Sequence, residues 1–122
     1  MPPTGRGKGK ATERAEVPDN AYIDGQVAEA AVGFLRTVRH RPFFLAVGFR
    51  RPHLPFSVPD KYWAMYDRDS LPLPDPERAP GNAPPVALHD SVELRGYTDV
   101  PTTGPIPRDK VRELIHGYYA GI

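Results

Sequence analysis

Seven consecutive residues without a polar side chain, Phe43-Phe44-Leu45-Ala46-Val47-Gly48-Phe49, sit between Pro42 and Arg50-Arg51-Pro52. An unbroken apolar run of that length, bounded by breakers, predicts a strand buried on both faces, since a half-exposed strand would alternate polar and apolar residues. Such a strand needs hydrogen-bonding neighbours on both edges and helices over both faces. No comparable run occurs anywhere else among the 122 residues. The sheet that this strand requires is therefore expected to take its other strands from sequence outside the chain.

The surrounding pattern supports one half of an α/β unit. Val27, Ala31, Phe34, Leu35 and Val38 recur at helical spacing, and Asp24 is placed to act as N-cap. Arg36, Arg39, His40 and Arg41 put positive charge at the C-terminal end, where the helix dipole favours it, and Pro42 stops the helix. Pro59 is suited to the first position of a short helix over residues 60–66. Residues 71–76, Leu-Pro-Leu-Pro-Asp-Pro, are expected to be extended, because a residue preceding Pro is pushed out of the α region. Residues 77–107 read as loop with one or two helical turns around Val86 to Leu94. A last helix starts near Pro107, with Val111, Leu114, Ile115, Tyr118 and Ile122 on one face. It meets the chain terminus without a stop signal, as expected of a chain cut within a helix. The predicted class is α/β, with one buried strand, flanking helices and long Pro-rich loops.

Composition limits the functional classes. Sixteen residues are Pro, against a usual ~5% of a chain, so regular elements must fit between fixed φ angles and missing donors. Sixteen Lys and Arg against fifteen Asp and Glu leave a net charge of +1, which makes no electrostatic case for nucleic acid or an anionic membrane. There is no Cys, which excludes disulfides, thiolate metal sites and a cysteine nucleophile. No apolar run approaches the ~20 residues of a membrane span. Residues 1–16 carry basic side chains without an apolar core, which fits a disordered lead-in rather than a secretory signal and leaves the location of the protein open.

The segment with most chemistry is Arg50-Arg51-Pro52-His53-Leu54-Pro55-Phe56. It follows the apolar run, and ligands of open α/β sheets bind beyond the carboxyl ends of strands. Neighbouring prolines would hold His53 on a stiff, extended backbone, and the two arginines favour an anion such as sulfate, phosphate or carboxylate. A solvated turn with surface His and Arg side chains accounts for the same residues equally well. Elsewhere, His89, Asp90, Glu93 and Arg95 could line a pocket, although solvated loop charges are the simpler account. Tyr62, Trp63 and Tyr66 could stack on a sugar, although a small satellite core is the commoner use of such clusters. His40 and His116 have no partners at metal-ligand spacing, and Tyr118 and Tyr119 are most simply the core and rim of the last helix.

Residues 42–56, Pro-Phe-Phe-Leu-Ala-Val-Gly-Phe-Arg-Arg-Pro-His-Leu-Pro-Phe, resemble a mid-chain segment of iduronate-2-sulfatase-like sulfatases, in which an apolar strand precedes Lys/Arg-Pro-His and Pro-Phe. The likeness extends through Val58-Pro59-Asp60-Lys61-Tyr62, Leu71 to Pro74, Pro84 to Ala87, Glu93 to Asp99, Gly104 to Pro107 and Gly117 to Ile122, and upstream from Val17. It covers about residues 17–122, an internal fragment of a catalytic domain. The resemblance implies part of an alkaline-phosphatase-like fold and a parent enzyme that hydrolyses sulfate esters, plausibly of sulfated sugars. Such enzymes use a formylglycine, made from Cys or Ser in a Cys/Ser-x-Pro-x-Arg motif, and usually calcium, and are often exported or lysosomal. Carried over by position, His53 becomes a sulfate or leaving-group contact, and Arg51 a substrate-binding charge beside it.

The departures are as informative as the likeness. Nothing before Pro42 resembles the formylglycine motif, and the calcium ligands of the family have no counterpart. Ser57-Val58-Pro59-Asp60-Lys61 imitates Ser-x-Pro-x-Arg but ends in Lys and lies downstream of the run, so Ser57 reads as a loop or helix-capping residue. The chain is therefore expected to be inactive alone. Two further readings stand beside this one: a non-catalytic remnant or interaction module, and a superfamily relative acting on phosphate esters.

Overall fold

The computed structural model describes residues 9–74 and 80–122. The first eight residues of the expected lead-in, and Asp75 and Pro76 of the expected extended stretch, lie outside them. The elements run in the order β1 (Thr12–Ala15), α1 (Ile23–Val38), β2 (Phe56–Pro59), α2 (Asp60–Trp63), α3 (Val92–Arg95) and α4 (Arg108–Ala120), with 3-10 turns at Asp19–Ala21 and Pro85–Ala87. Among the described residues no helix is long and apolar enough to cross a membrane.

The sheet is a parallel pair, β1 with β2, in the register Thr12↔Phe56 to Ala15↔Pro59. Neither strand is the one expected. The Thr-Glu-Arg-Ala of β1 carries no apolar pattern and falls in the lead-in read as disordered, yet its backbone is held from three directions. The Phe56 N–H donates to the Ala11 carbonyl at 2.8 Å and the Thr98 N–H to the Gly9 carbonyl at 3.1 Å, while the Ala11 N–H donates to Asp99 Oδ1 at 2.8 Å. Ala11 is fully buried. The order therefore comes from long-range partners rather than from local hydrophobicity, which is all that a disorder reading weighs.

Residues 43–49 form no strand, and Phe43, Phe44, Val47 and Phe49 are exposed, Phe44 by 91%. The physical reason is the one the sequence raised: a strand apolar on both faces needs neighbours, and the described residues place none beside this run. Helix α1 shows the same deficit. It forms where its periodicity predicted, but only Val38 is buried, and Ile23, Val32, Phe34 and Leu35 remain exposed. The helix connects the two parallel strands yet stands off them. The gap is a cleft of about 1040 Å³ lined by Ile23, Val32, Gly33, Val58, Tyr62 and Ile122 among others.

The core lies under α4. One cluster joins Val58, Trp63 and Ala120; a second joins Ala11, Tyr97 and Val100, with Leu54, Leu94, Ile106 and Leu114 packed against it. Helix α4 buries His116, Gly117 and Ala120, so its inner face is rotated from the one the apolar spacing suggested; Tyr118 and Ile122 are exposed. Contact with an aromatic strand end favoured small residues over large ones. A Cβ on Gly117 would lie 2.8 Å from Trp63 Cη2 and 2.9 Å from Phe56 Cβ, so only glycine lets the helix approach this closely. His116 donates from Nε2 to the Trp63 carbonyl at 2.8 Å, and its ring meets the Trp63 indole edge-on at 4.9 Å. The short helical turns at Pro85–Ala87 and Val92–Arg95 fall where residues 86–94 suggested them. Ser91 caps α3 by accepting from the Leu94 N–H.

A charged network ties β1 to α4. The Lys110 ammonium reaches Asp99 at 3.1 Å and Glu113 at 2.7 Å, and the Thr12 hydroxyl bonds to Glu113. Burial pushes the Asp99 carboxyl up, but the Ala11 N–H and Lys110 outweigh it and the net direction is down. Glu113 follows the same logic, with burial opposed by Lys110 and Thr12. Burial lowers Lys110, and its two carboxylate partners bring the net direction up.

Two outcomes follow from this packing. Gly117→Ala is expected to destabilise the chain by about 1–3 kcal/mol through overpacking, read as a lower denaturant midpoint in the fluorescence of the one Trp, Trp63. Carboxylates held below their ordinary values of 3.8 (Asp99) and 4.5 (Glu113) stabilise the fold above those values and lose that contribution as pH falls through the lower folded ones. The denaturant midpoint is thus expected to fall below about pH 4.5 in wild type. Asp99→Asn should already be weakened at neutral pH and show a shallower acid decline. Identical pH profiles for the two would remove Asp99 from this role.

Candidate functional site

Past the apolar run the backbone turns sharply instead of continuing extended. The His53 N–H donates to the Arg50 carbonyl at 2.9 Å, closing a turn over Arg50-Arg51-Pro52-His53 in which the Arg51–Pro52 peptide is cis; Leu54–Pro55 is cis as well. The extended backbone inferred for His53 from its prolines is thus replaced by a turn. Pro removes a donor and fixes φ, and it is equally at home in either conformation.

The anchor of this turn is Asp24. It was read as the N-cap of α1, but Tyr22 holds that position and Asp24 lies in the first turn. Its carboxylate accepts from two successive backbone amides, Arg50 N–H at 2.9 Å and Arg51 N–H at 2.8 Å. Bonds from neutral donors to a carboxylate are among the stronger hydrogen bonds of a fold. Gly25 allows the same helix start to sit against the preceding 3-10 turn, since a Cβ there would fall 1.9 Å from the Asp19 carbonyl oxygen.

Arg51 completes the scaffold from the other side. Its Nε donates to the Ser57 carbonyl at 3.0 Å and its Nη1 to the His53 carbonyl at 3.3 Å. Burial lowers its pKa, opposed by the nearby Asp24 carboxylate; an arginine stays charged through any such shift. Ser57, expected in a loop or as a cap, is buried in β2 and makes no capping bond to α2, whose N-cap is Pro59. Its place is in the strand ladder, with its side chain buried.

His53 itself is exposed, with 60% of its side chain accessible. Nδ1 donates to the Leu54 carbonyl at 2.8 Å, and Nε2 lies 3.7 Å from Glu93 Oε2. The structure therefore brings together Asp24, Arg50, Arg51, His53 and Glu93. It does not bring in the other candidates. Arg95 is bound to Asp90 at 2.8 Å and to the Pro101 carbonyl at 2.9 Å, as a brace for α3. His89 contacts only the carbonyl of its neighbour Asp90 among the described bonds, at 3.1 Å. Trp63 is core, Tyr66 meets Tyr119 edge-on at 5.5 Å, and the exposed Tyr118 meets Phe56 edge-on at 6.0 Å. The pairing of Glu93 with His53 had no sequence signal, since the two residues meet only through the fold.

Among the described residues no group of His, Asp or Glu is arranged to hold a metal ion. The chain also has no Cys, and Ser57 is enclosed in a strand. The described residues fit neither the calcium site nor the formylglycine that the resemblance implies.

No family model matches the chain. Among curated proteins it is 35% identical over 117 residues to iduronate 2-sulfatase of Mus musculus, covering 88% of this chain and 21% of that protein. The human iduronate 2-sulfatase matches at 35% over 116 residues with the same coverage. A sulfatase of Formosa agariphila matches at 45% over 49 residues, 39% of this chain and 10% of that protein. Over most of its length the chain is thus similar to sulfatases. Its likeness within that class is to iduronate 2-sulfatases, and it spans about a fifth of the length of these two relatives.

Removing the anchor should loosen the turn selectively. Asp24→Ala is expected to raise amide hydrogen exchange at Arg50 and Arg51 by roughly tenfold to a hundredfold, the equivalent of losing charge-assisted bonds of ~1.5–3 kcal/mol. Exchange in α4 should be unchanged. Equal acceleration in α4 would mean that Asp24 supports the whole chain rather than the loop.

Proposed function

We propose that this chain is the histidine-bearing segment of a sulfate ester hydrolase acting on sulfated sugars, and that it is inactive in isolation. The observation that carries the reading is the presentation of His53: an exposed imidazole on a turn fixed by Asp24 and Arg51, with Nδ1 engaged by the Leu54 carbonyl. The names and identities of the relatives support the reaction class. As the S–O bond of the ester breaks, its electron pair passes to the leaving oxygen, and the Nε2 proton of a cationic His53 neutralises that oxygen. An imidazole is suited to this transfer near neutral pH. Arg51 contributes positive charge beside the ring while bracing the loop. The attacking oxygen and any metal lie outside the residues described, and residues 43–49, with the exposed face of α1, are where the rest of such a domain would pack.

A second reading has its own support. A multifunctional alkaline phosphatase superfamily protein of Trinickia caryophylli is 41% identical over 66 residues, 54% of this chain and 13% of that protein. The same turn could serve a phosphate ester, because both tetrahedral anions leave an alkoxide that needs a proton.

The test compares this chain, and the longest polypeptide its gene encodes, on aryl and sugar sulfates and phosphates. The chain alone is expected to show no turnover. In the longer polypeptide His53→Ala should lower kcat on sulfates by ~10²–10⁴, with a smaller loss for good leaving groups. An equal loss on good and poor leaving groups would make His53 an anion-positioning residue. Turnover of phosphates in preference to sulfates would favour the second reading.

A further inference from the structure

Glu93 has no role in the reading above, yet its carboxylate is the charged group that faces the outer nitrogen of His53. The two residues are brought together by their neighbours. Leu54, next to His53, and Leu94, next to Glu93, both pack against the cluster of Ala11, Tyr97 and Val100. Each apolar side chain turns inward and leaves the adjacent polar one at the surface, so a single core patch fixes both. Helix α3 is secured in turn by its Ser91 cap and by the Arg95 bonds to Asp90 and the Pro101 carbonyl.

The hydrogen-bond inventory of the ring adds a chemical point. The Leu54 carbonyl and an ionised Glu93 can only accept. A neutral imidazole has one N–H and can serve one of them; the cationic ring, with an N–H on each nitrogen, serves both. The cationic ring is also the form that can give a proton to a leaving oxygen from Nε2. At 3.7 Å with both side chains about half exposed, the pair contributes little to stability, so its consequence lies in orientation.

Resting on the sulfate ester reading of His53, we propose that Glu93 is the positioning residue of that histidine, holding the ring in the orientation in which Nε2 meets the ester. Arg51, Arg50 and Tyr97 are the other ionisable groups around the pair. Arg51 bonds to the His53 carbonyl, and Tyr97 is raised by burial, with Glu93 adding to the rise and Arg50 and Arg51 opposing it.

The experiment has two arms. In the 122-residue chain, ring nitrogen signals of His53 are recorded at one fixed, near-neutral pH for wild type, Glu93→Gln and Glu93→Ala. Both variants are expected to shift and broaden the ring signals, Nε2 most, as the ring loses its fixed orientation, while near-UV circular dichroism stays unchanged. An Nε2 signal insensitive to both variants overturns the proposal, whatever the chain's activity. In the longer polypeptide, Glu93→Ala is expected to lower kcat roughly tenfold on esters with poor leaving groups and to add nothing in a His53→Ala background, as coupled neighbours do. Additive losses in the double variant overturn it too. Should the longer polypeptide hydrolyse no ester, the functional reading falls, and with it the catalytic purpose of the pair, while the ring signals still decide whether Glu93 holds the orientation of His53.

Discussion

The approach of α4 to β2 at Gly117 is the contact on which most of the ordered structure rests. Because no side chain intervenes, the helix lies directly on Phe56 and Trp63. Burying those aromatic surfaces is the largest apolar gain the strand pair has available. The helix then presents Glu113 and Lys110 to Thr12 and Asp99, and this network holds β1 in parallel register with β2. An isolated two-stranded sheet is marginal in water. Here one face of the pair is covered by a helix that can come close enough to exclude solvent.

The other face has no such cover. Helix α1 stands away across a wide cleft, and the apolar run beyond it is exposed. A large patch of this kind marks an interaction surface or an aggregation liability, and for a chain matching about a fifth of its relatives it fits an unfinished interior. The candidate site sits where the two regions meet. Asp24 belongs to the uncovered helix, whereas Leu54 and Leu94 belong to the packed core. The loop carrying His53 is thereby tied to both.

Much of the helix pattern was legible because local signals coincide there with element boundaries. Pro42, Pro59 and Pro107 punctuate the chain, and the spacing of Val27 to Val38 marks α1. The His53 segment was legible as a candidate because charged residues follow an apolar run, and the resemblance to sulfatases pointed to the same residues. The placement of β1 was not legible. Thr-Glu-Arg-Ala carries no strand pattern, and its order derives from hydrogen bonds to Phe56, Thr98 and Asp99 across the fold. The run at 43–49 erred in the opposite direction, since strong local propensity cannot make a strand without a neighbour to receive its hydrogen bonds.

By itself, then, the sequence determined the longer helices and their breakers and carried the likeness to sulfatases, because each depends on side chains near one another in the chain. Tertiary structure alone decided that Asp24 clamps a loop rather than caps a helix, that Ser57 is strand rather than cap, that α4 turns Gly117 and Ala120 inward, and that Glu93 faces His53. Each of these depends on which distant backbone or core patch a residue meets, and no local pattern encodes that meeting.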